Sequence, residues 1–181
     1  MRKSVIEPAV TLKKELFTIP NMVTRFHKKE HAVTEDWINW LTHLEHILTK
    51  YNYTEAADIA GYRANVLAAA ACEEGKRVKK RKQMTIAAVN SVQPVQQILS
   101  EITNLLEEKI EAVRSMIKQI LIPAKDAGMI NYEAHTDFTD YLESLLAQFK
   151  SHEQLAPGIN SAIASIGKYD VLKIIAEEIE F

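Results

Sequence analysis

Between Gln83 and Ile122 the chain runs for 40 residues without a glycine and with one internal proline, Pro94. Val95, Leu99, Ile102, Leu106, Ile110, Val113, Ile117 and Ile120 recur every three or four positions along it, and Ile98, Leu105, Met116 and Leu121 widen the stripe. That spacing marks one face of an α-helix, and a stripe this broad suits a globular core better than a two-stranded seam. A helix over about residues 84–121 would be a rod of roughly 57 Å at 1.5 Å per residue. Other helices have to line up along that rod or leave part of it uncovered. The pattern therefore predicts an all-α fold, an elongated bundle of five to seven helices organised around one long central helix.

The flanking sequence agrees with that class. Five glycines and five prolines in 181 residues are too few for the many tight turns of a sheet protein. The length suits one substantial core rather than two. A single helical domain over 1–181 is expected, with short N-terminal helices over 1–33, core helices over 34–122 and C-terminal helices over 131–181 packed on the core.

Local signals set the expected boundaries. Pro8 and Pro20 bound a first short helix, and Asn21 caps a second. Thr34 caps a helix carrying Trp37, Ile38, Trp40, Leu41, Leu44, Ile47 and Leu48, which ends near Asn52. Thr54 caps the next, closed by Gly75 in a left-handed C′ conformation. Its many alanines and Gly61 predict close packing in the middle of the bundle, offsetting the roughly 1 kcal/mol that a helical glycine costs. Pro94 is expected to kink a continuous helix, closed by Pro123 and Gly128. Thr136 or Glu133 begins the following helix, Pro157-Gly158 opens another, and Gly167 separates that one from the last.

The net charge of −2 hides an asymmetry: Lys76, Arg77, Lys79, Lys80, Arg81 and Lys82 fall within seven positions, and the remaining chain has 16 basic against 24 acidic residues. Polyanion binding would have to be local to that patch. Cys72 is the lone cysteine, so no intrachain disulfide forms. No apolar leader core follows Arg2 and Lys3, and the longest apolar run, Val66 to Cys72, is far short of a membrane span. A soluble, cytoplasmic protein without a membrane partner is expected.

Candidate chemistry is sparse. His27 and His31 are four apart beside Glu30, and His43 and His46 are three apart beside Glu45. Such spacings put two imidazoles on one helix face, and a bundle could bring the pairs together around a metal ion. The HExxH and paired ExxH patterns of established metal sites are missing, however, so solvated surface is the expected role. The spacing of Arg25 and His31, with five residues between, resembles the ribonuclease motif of HEPN domains, which are also small helical bundles. The resemblance covers seven residues and would imply ribonuclease-like chemistry at that pair. The basic run could give a salt-sensitive affinity for phosphates, but no aromatic is interleaved and only Gln83 adjoins it. A solvated interhelix connection is its plainer reading. Neither a phosphate-cradling glycine loop nor a nucleophile motif is present, so catalysis finds little support and no cofactor is expected.

The leading expectation is thus a non-enzymatic helical interaction or scaffold protein with a protein partner. Self-association is favoured, because the first 33 residues look too weakly apolar to finish covering the stripe between Leu99 and Leu121. The competing readings are a nucleic-acid-binding protein using residues 76–82 and a metal-dependent or ribonuclease-like enzyme using the four histidines.

Overall fold

The computed structural model describes residues 4–71, 77–132 and 137–179, with only the backbone at 77 and 78. Among them are seven helices and no strand: α1 (Ile6–His27), α2 (Val33–Lys50), α3 (Ala56–Ala68), α4 (Arg77–Asp126), α5 (Phe138–Ser151), α6 (Ala156–Ile166) and α7 (Lys168–Glu178). The long central helix is α4, at 50 residues. The fold separates into two compact units, residues 10–103 and residues 1–9 with 104–181.

The stripe that predicts α4 is buried in the single chain. Val95, Leu99 and Ile117 are fully buried, as nearly are Ile102, Leu106, Val113, Ile120 and Leu121. Only Leu105, of the residues that widen it, is strongly exposed. An uncovered stripe therefore does not supply the expected drive to self-association, because the chain covers those residues itself. The helix is also longer than its apolar pattern. It starts seven residues early, at Arg77, and continues through both Pro94 and Pro123. Pro123 does not close it; Gly128 does. At φ 67° Gly128 occupies the left-handed position, Met129 N–H reaches back to the Ala124 carbonyl, and Gly128 N–H to that of Lys125.

Three other boundaries differ from expectation. Pro20 does not end α1, which continues seven residues past it. Pro20 is exposed, while Leu12 and Ile19 on the same helix are fully buried, so packing outweighs the one lost rung. Asn21 is accordingly an interior residue. Lys29 at φ 55° closes α1 instead, through Glu30 N–H to the Arg25 carbonyl and Lys29 N–H to that of Phe26. Thr34 does not cap α2 but lies within its first turn, buried, with its hydroxyl 2.9 Å from that of Thr85 on α4. Helix α3 stops at Ala68, and only Ile59 and Val66 of it are buried. It is peripheral rather than central, and a Cβ on Gly61 would meet nothing within 4 Å, so close approach is not why that glycine is there. Cys72, Gly75, Glu133 and Thr136 lie outside the described residues.

In the first unit Trp37 and Trp40 stack at 4.8 Å. The Trp37 indole donates to Ser91 Oγ (2.9 Å) and that of Trp40 to Glu15 Oε2 (2.7 Å). Ser91 is thus a buried link from α4 to α2. The second unit packs Val113, Ile117, Ile120, Leu121 and Ala124 of α4 against α5, α6 and α7, with Phe149, Ile159, Val171 and Ile174 wholly buried. Its polar anchor is Asp170, 1% exposed, whose carboxylate accepts from Ser4 Oγ (2.8 Å) and from the amides of Val5 and Ile6 at the start of α1.

Candidate functional site

The basic run is helical, not a connection. Residues 77–82 form the opening turns of α4, whose first turn holds no acidic residue. Successive residues of an α-helix are turned by about 100°, so Lys79, Lys80, Arg81 and Lys82 point around the axis instead of sharing one face. Lys79, Arg81 and Lys82 are exposed and Lys80 is half-buried. Lys76 and the side chain of Arg77 lie outside the described residues.

Two of these cations face α2. The Arg81 guanidinium donates to the His31 carbonyl, Thr85 meets Thr34, and Ser91 meets Trp37. Contacts that advance together along both helices mean that α2 and the start of α4 run side by side in the same direction. Their positive poles therefore point the same way, toward the end that carries the cations, with α4 beginning about two turns before α2. Helix α3 returns along α2, held by Arg63 to Glu45 at 2.9 Å. Between the three helices lies an open groove of about 810 Å³, wholly within residues 10–103. Ile38, Leu67 and Met84 supply its apolar wall, and Lys80 and Arg81, beside His31, its cationic end. Among the described residues Glu35 is the one carboxylate on the lining, and Thr34 and Asn39 add neutral polar groups. Leu67 is 45% exposed, a large apolar side chain left open on the groove wall.

The four histidines are not assembled into a site. His27 ends α1, His31 lies in the following turn at the groove, and His43 and His46 are exposed along α2. His43 Nε2 is 3.4 Å from Glu15 Oε1. Among the described residues no three His, Cys, Asp or Glu side chains are placed to share a metal ion. Arg25 is engaged elsewhere than at His31: its Nε bonds Glu30 at 2.8 Å and its Nη2 bonds Asp36. Those two carboxylates, Glu30 first, push the guanidinium pKa up further.

Sequence reasoning points to Lys80 and Arg81 but misses Leu67, Met84, Ile38 and Asn39 as their companions. The available signal was Met84, one turn beyond Arg81 on any helix that begins before the basic run. A second cleft, of about 560 Å³, lies between the α4–α5 loop and α5, lined by Asn131, Asp140, Tyr141, Ser144 and Gln148. Burial pushes the Tyr141 phenol pKa up there. No helix among the described residues is long and apolar enough to cross a membrane. No protein family, curated protein or solved structure matches the chain.

Proposed function

We propose that this chain is a non-enzymatic helical interaction module that docks a segment of a partner protein in the groove between α2, α3 and α4. The observation that carries this reading is the apolar wall of Ile38, Leu67 and Met84 set beside Lys80 and Arg81 in one open groove. Apolar area supplies affinity and the neighbouring charges supply orientation and selectivity. A nucleic-acid reading draws less support, because cations spread around a helix cannot all meet one phosphate backbone. An Arg25–His31 nuclease draws less still, because Arg25 is already bridged to Glu30 and Asp36.

A photo-crosslinking amino acid placed at Leu67 or Met84 in producing cells tests the proposal. The expected result is one discrete protein adduct, identified by mass spectrometry, that is absent when the crosslinker is at exposed Lys109 and re-forms from the purified components. No adduct, or the same adducts from all three positions, would overturn it.

A further inference from the structure

Resting on that reading, we infer that the occupant of the groove is an acidic amphipathic helix, with carboxylates at the end that meets Lys80 and Arg81 and apolar side chains about one turn further on. Three observations converge on this chemistry. The first is charge. The end of the groove marked by Lys80 and Arg81 is also the end toward which the positive poles of α2 and α4 both point, α4 beginning about two turns before α2, so cations and dipoles have the same sign there. Among the described lining residues Glu35 is the only carboxylate to oppose them, and the rest of the chain is acidic on balance.

The second is spacing. Met84 follows Arg81 by one helical turn and Ile38 follows Thr34 by one, so the polar and apolar parts of the groove alternate with helical period. An occupant whose own side chains repeat every three or four residues matches that period. An extended segment would instead need a sheet edge to pair with, and no strand exists among the described residues. The third is polarity of the backbone. A helix laid along the groove with its C-terminal carbonyls toward Lys80 and Arg81 opposes the dipoles of α2 and α4, which is the favourable arrangement. The occupant should therefore run antiparallel to both.

The probe is a fluorescent synthetic peptide of about 15 residues, roughly four turns, with leucines at helical spacing and glutamates in its last turn. A lysine-for-glutamate version and a single-stranded RNA serve as comparators, all read by anisotropy on the full chain. The acidic peptide should bind, the lysine peptide at least tenfold more weakly, and binding should weaken as salt rises from roughly 50 to 200 mM. Lys80→Glu should weaken the acidic peptide tenfold or more and restore the lysine peptide. Leu67→Gln, at an exposed position where folding is not at stake, should weaken both. Circular dichroism of each variant confirms that it stays helical.

Equal binding of the two peptides, indifference to Lys80→Glu, or RNA binding that outcompetes the acidic peptide would each overturn the inference. A leucine-bearing peptide that binds regardless of charge, with crosslinks intact at Leu67 and Met84, would leave the docking groove standing and remove its acidic occupant. A crosslink joining two copies of this chain would also replace the acidic partner. Absence of both peptide binding and crosslinks would remove groove and occupant together.

Discussion

Asp170 is the residue whose loss should cost the fold most for its size. Its carboxylate is buried at 1% exposure and belongs to α7, yet it closes the N-terminus of α1, more than 160 positions away in sequence. Val5 N–H and Ile6 N–H both donate to Oδ2, while Ser4 Oγ donates to Oδ1 at 2.8 Å. Asp170→Ala leaves two amides and a hydroxyl without an acceptor in a site largely closed to water. A hydrogen bond to a charged group is worth about 1.5–3 kcal/mol net, and the bonds share one carboxylate, so the loss should total roughly 3–5 kcal/mol. For a chain of this length that lowers Tm by roughly 6–20 °C. Asp170→Asn is the informative partner. Its carbonyl can still accept from both amides while its NH2 donates to Ser4 Oγ, so only the charge at the helix terminus is lost. That should cost about 1 kcal/mol. Thermal unfolding followed at 222 nm, with amide exchange at Val5 and Ile6, measures both effects. An alanine variant within about 1 kcal/mol of wild type would refute the capping role. An asparagine variant as damaged as alanine would show that charge, not hydrogen-bond geometry, holds the contact.

Gly61→Ala should raise stability by up to about 1 kcal/mol in urea unfolding, since the added methyl meets nothing and the helix gains propensity. Gly158→Ala should do the opposite: its Cβ would lie 2.9 Å from Ile120 Cδ1, and Ile120→Val in the same chain should restore much of the loss. Thr103 is 3% exposed and its hydroxyl has no partner among the described residues, so Thr103→Val should stabilise by about 1 kcal/mol in the same measurement. Arg114 and then Lys118 hold the Glu178 carboxyl below its usual range, so its contribution is present above the unfolded value and fades as pH falls through the folded one. Glu178→Gln should accordingly lower Tm near neutral pH and leave it nearly unchanged in acid below that range.

The fold class was legible because it depends on periodicity, and eight of the twelve stripe residues from Val95 to Leu121 are buried, with only Leu105 strongly exposed. Boundaries were less legible because local signals lose to packing. Pro20 and Pro123 each read as a stop, yet each lies inside a helix whose neighbouring apolar residues are fixed in a core, whereas the helix runs on through Pro94 as expected. Asn52 at φ 60° ends α2 as its chemistry suggests. Lys29 does the same work for α1 with no sequence signal at all. Alanine misled most. A run of small residues fits a tight helix interface and an exposed helix equally well, and α3 is the second kind, with Gly61 facing open space.

The site was legible in composition and hidden in direction. Six cations in seven positions stand out in any reading of the chain, and if they formed a loop they could gather around one polyanion. In a helix they cannot, because each step of about 100° turns the next side chain away from the last. What chooses among them is the register between α2 and α4, fixed by Thr34 with Thr85 and by Trp37 with Ser91. That register aims Lys80 and Arg81 at the groove and brings Met84 beside Ile38 and Leu67. None of those contacts has a local signature, since each joins residues at least 17 positions apart. A one-residue slip of α4 would turn Lys80 and Arg81 away and leave an apolar groove without its charged end. The selectivity proposed for the groove therefore rests on two hydrogen-bonding pairs outside its cationic rim, one part-buried and one buried. Ser91→Ala, which leaves the Trp37 indole without its acceptor, should weaken the acidic peptide through loss of that register while every lining cation stays in place.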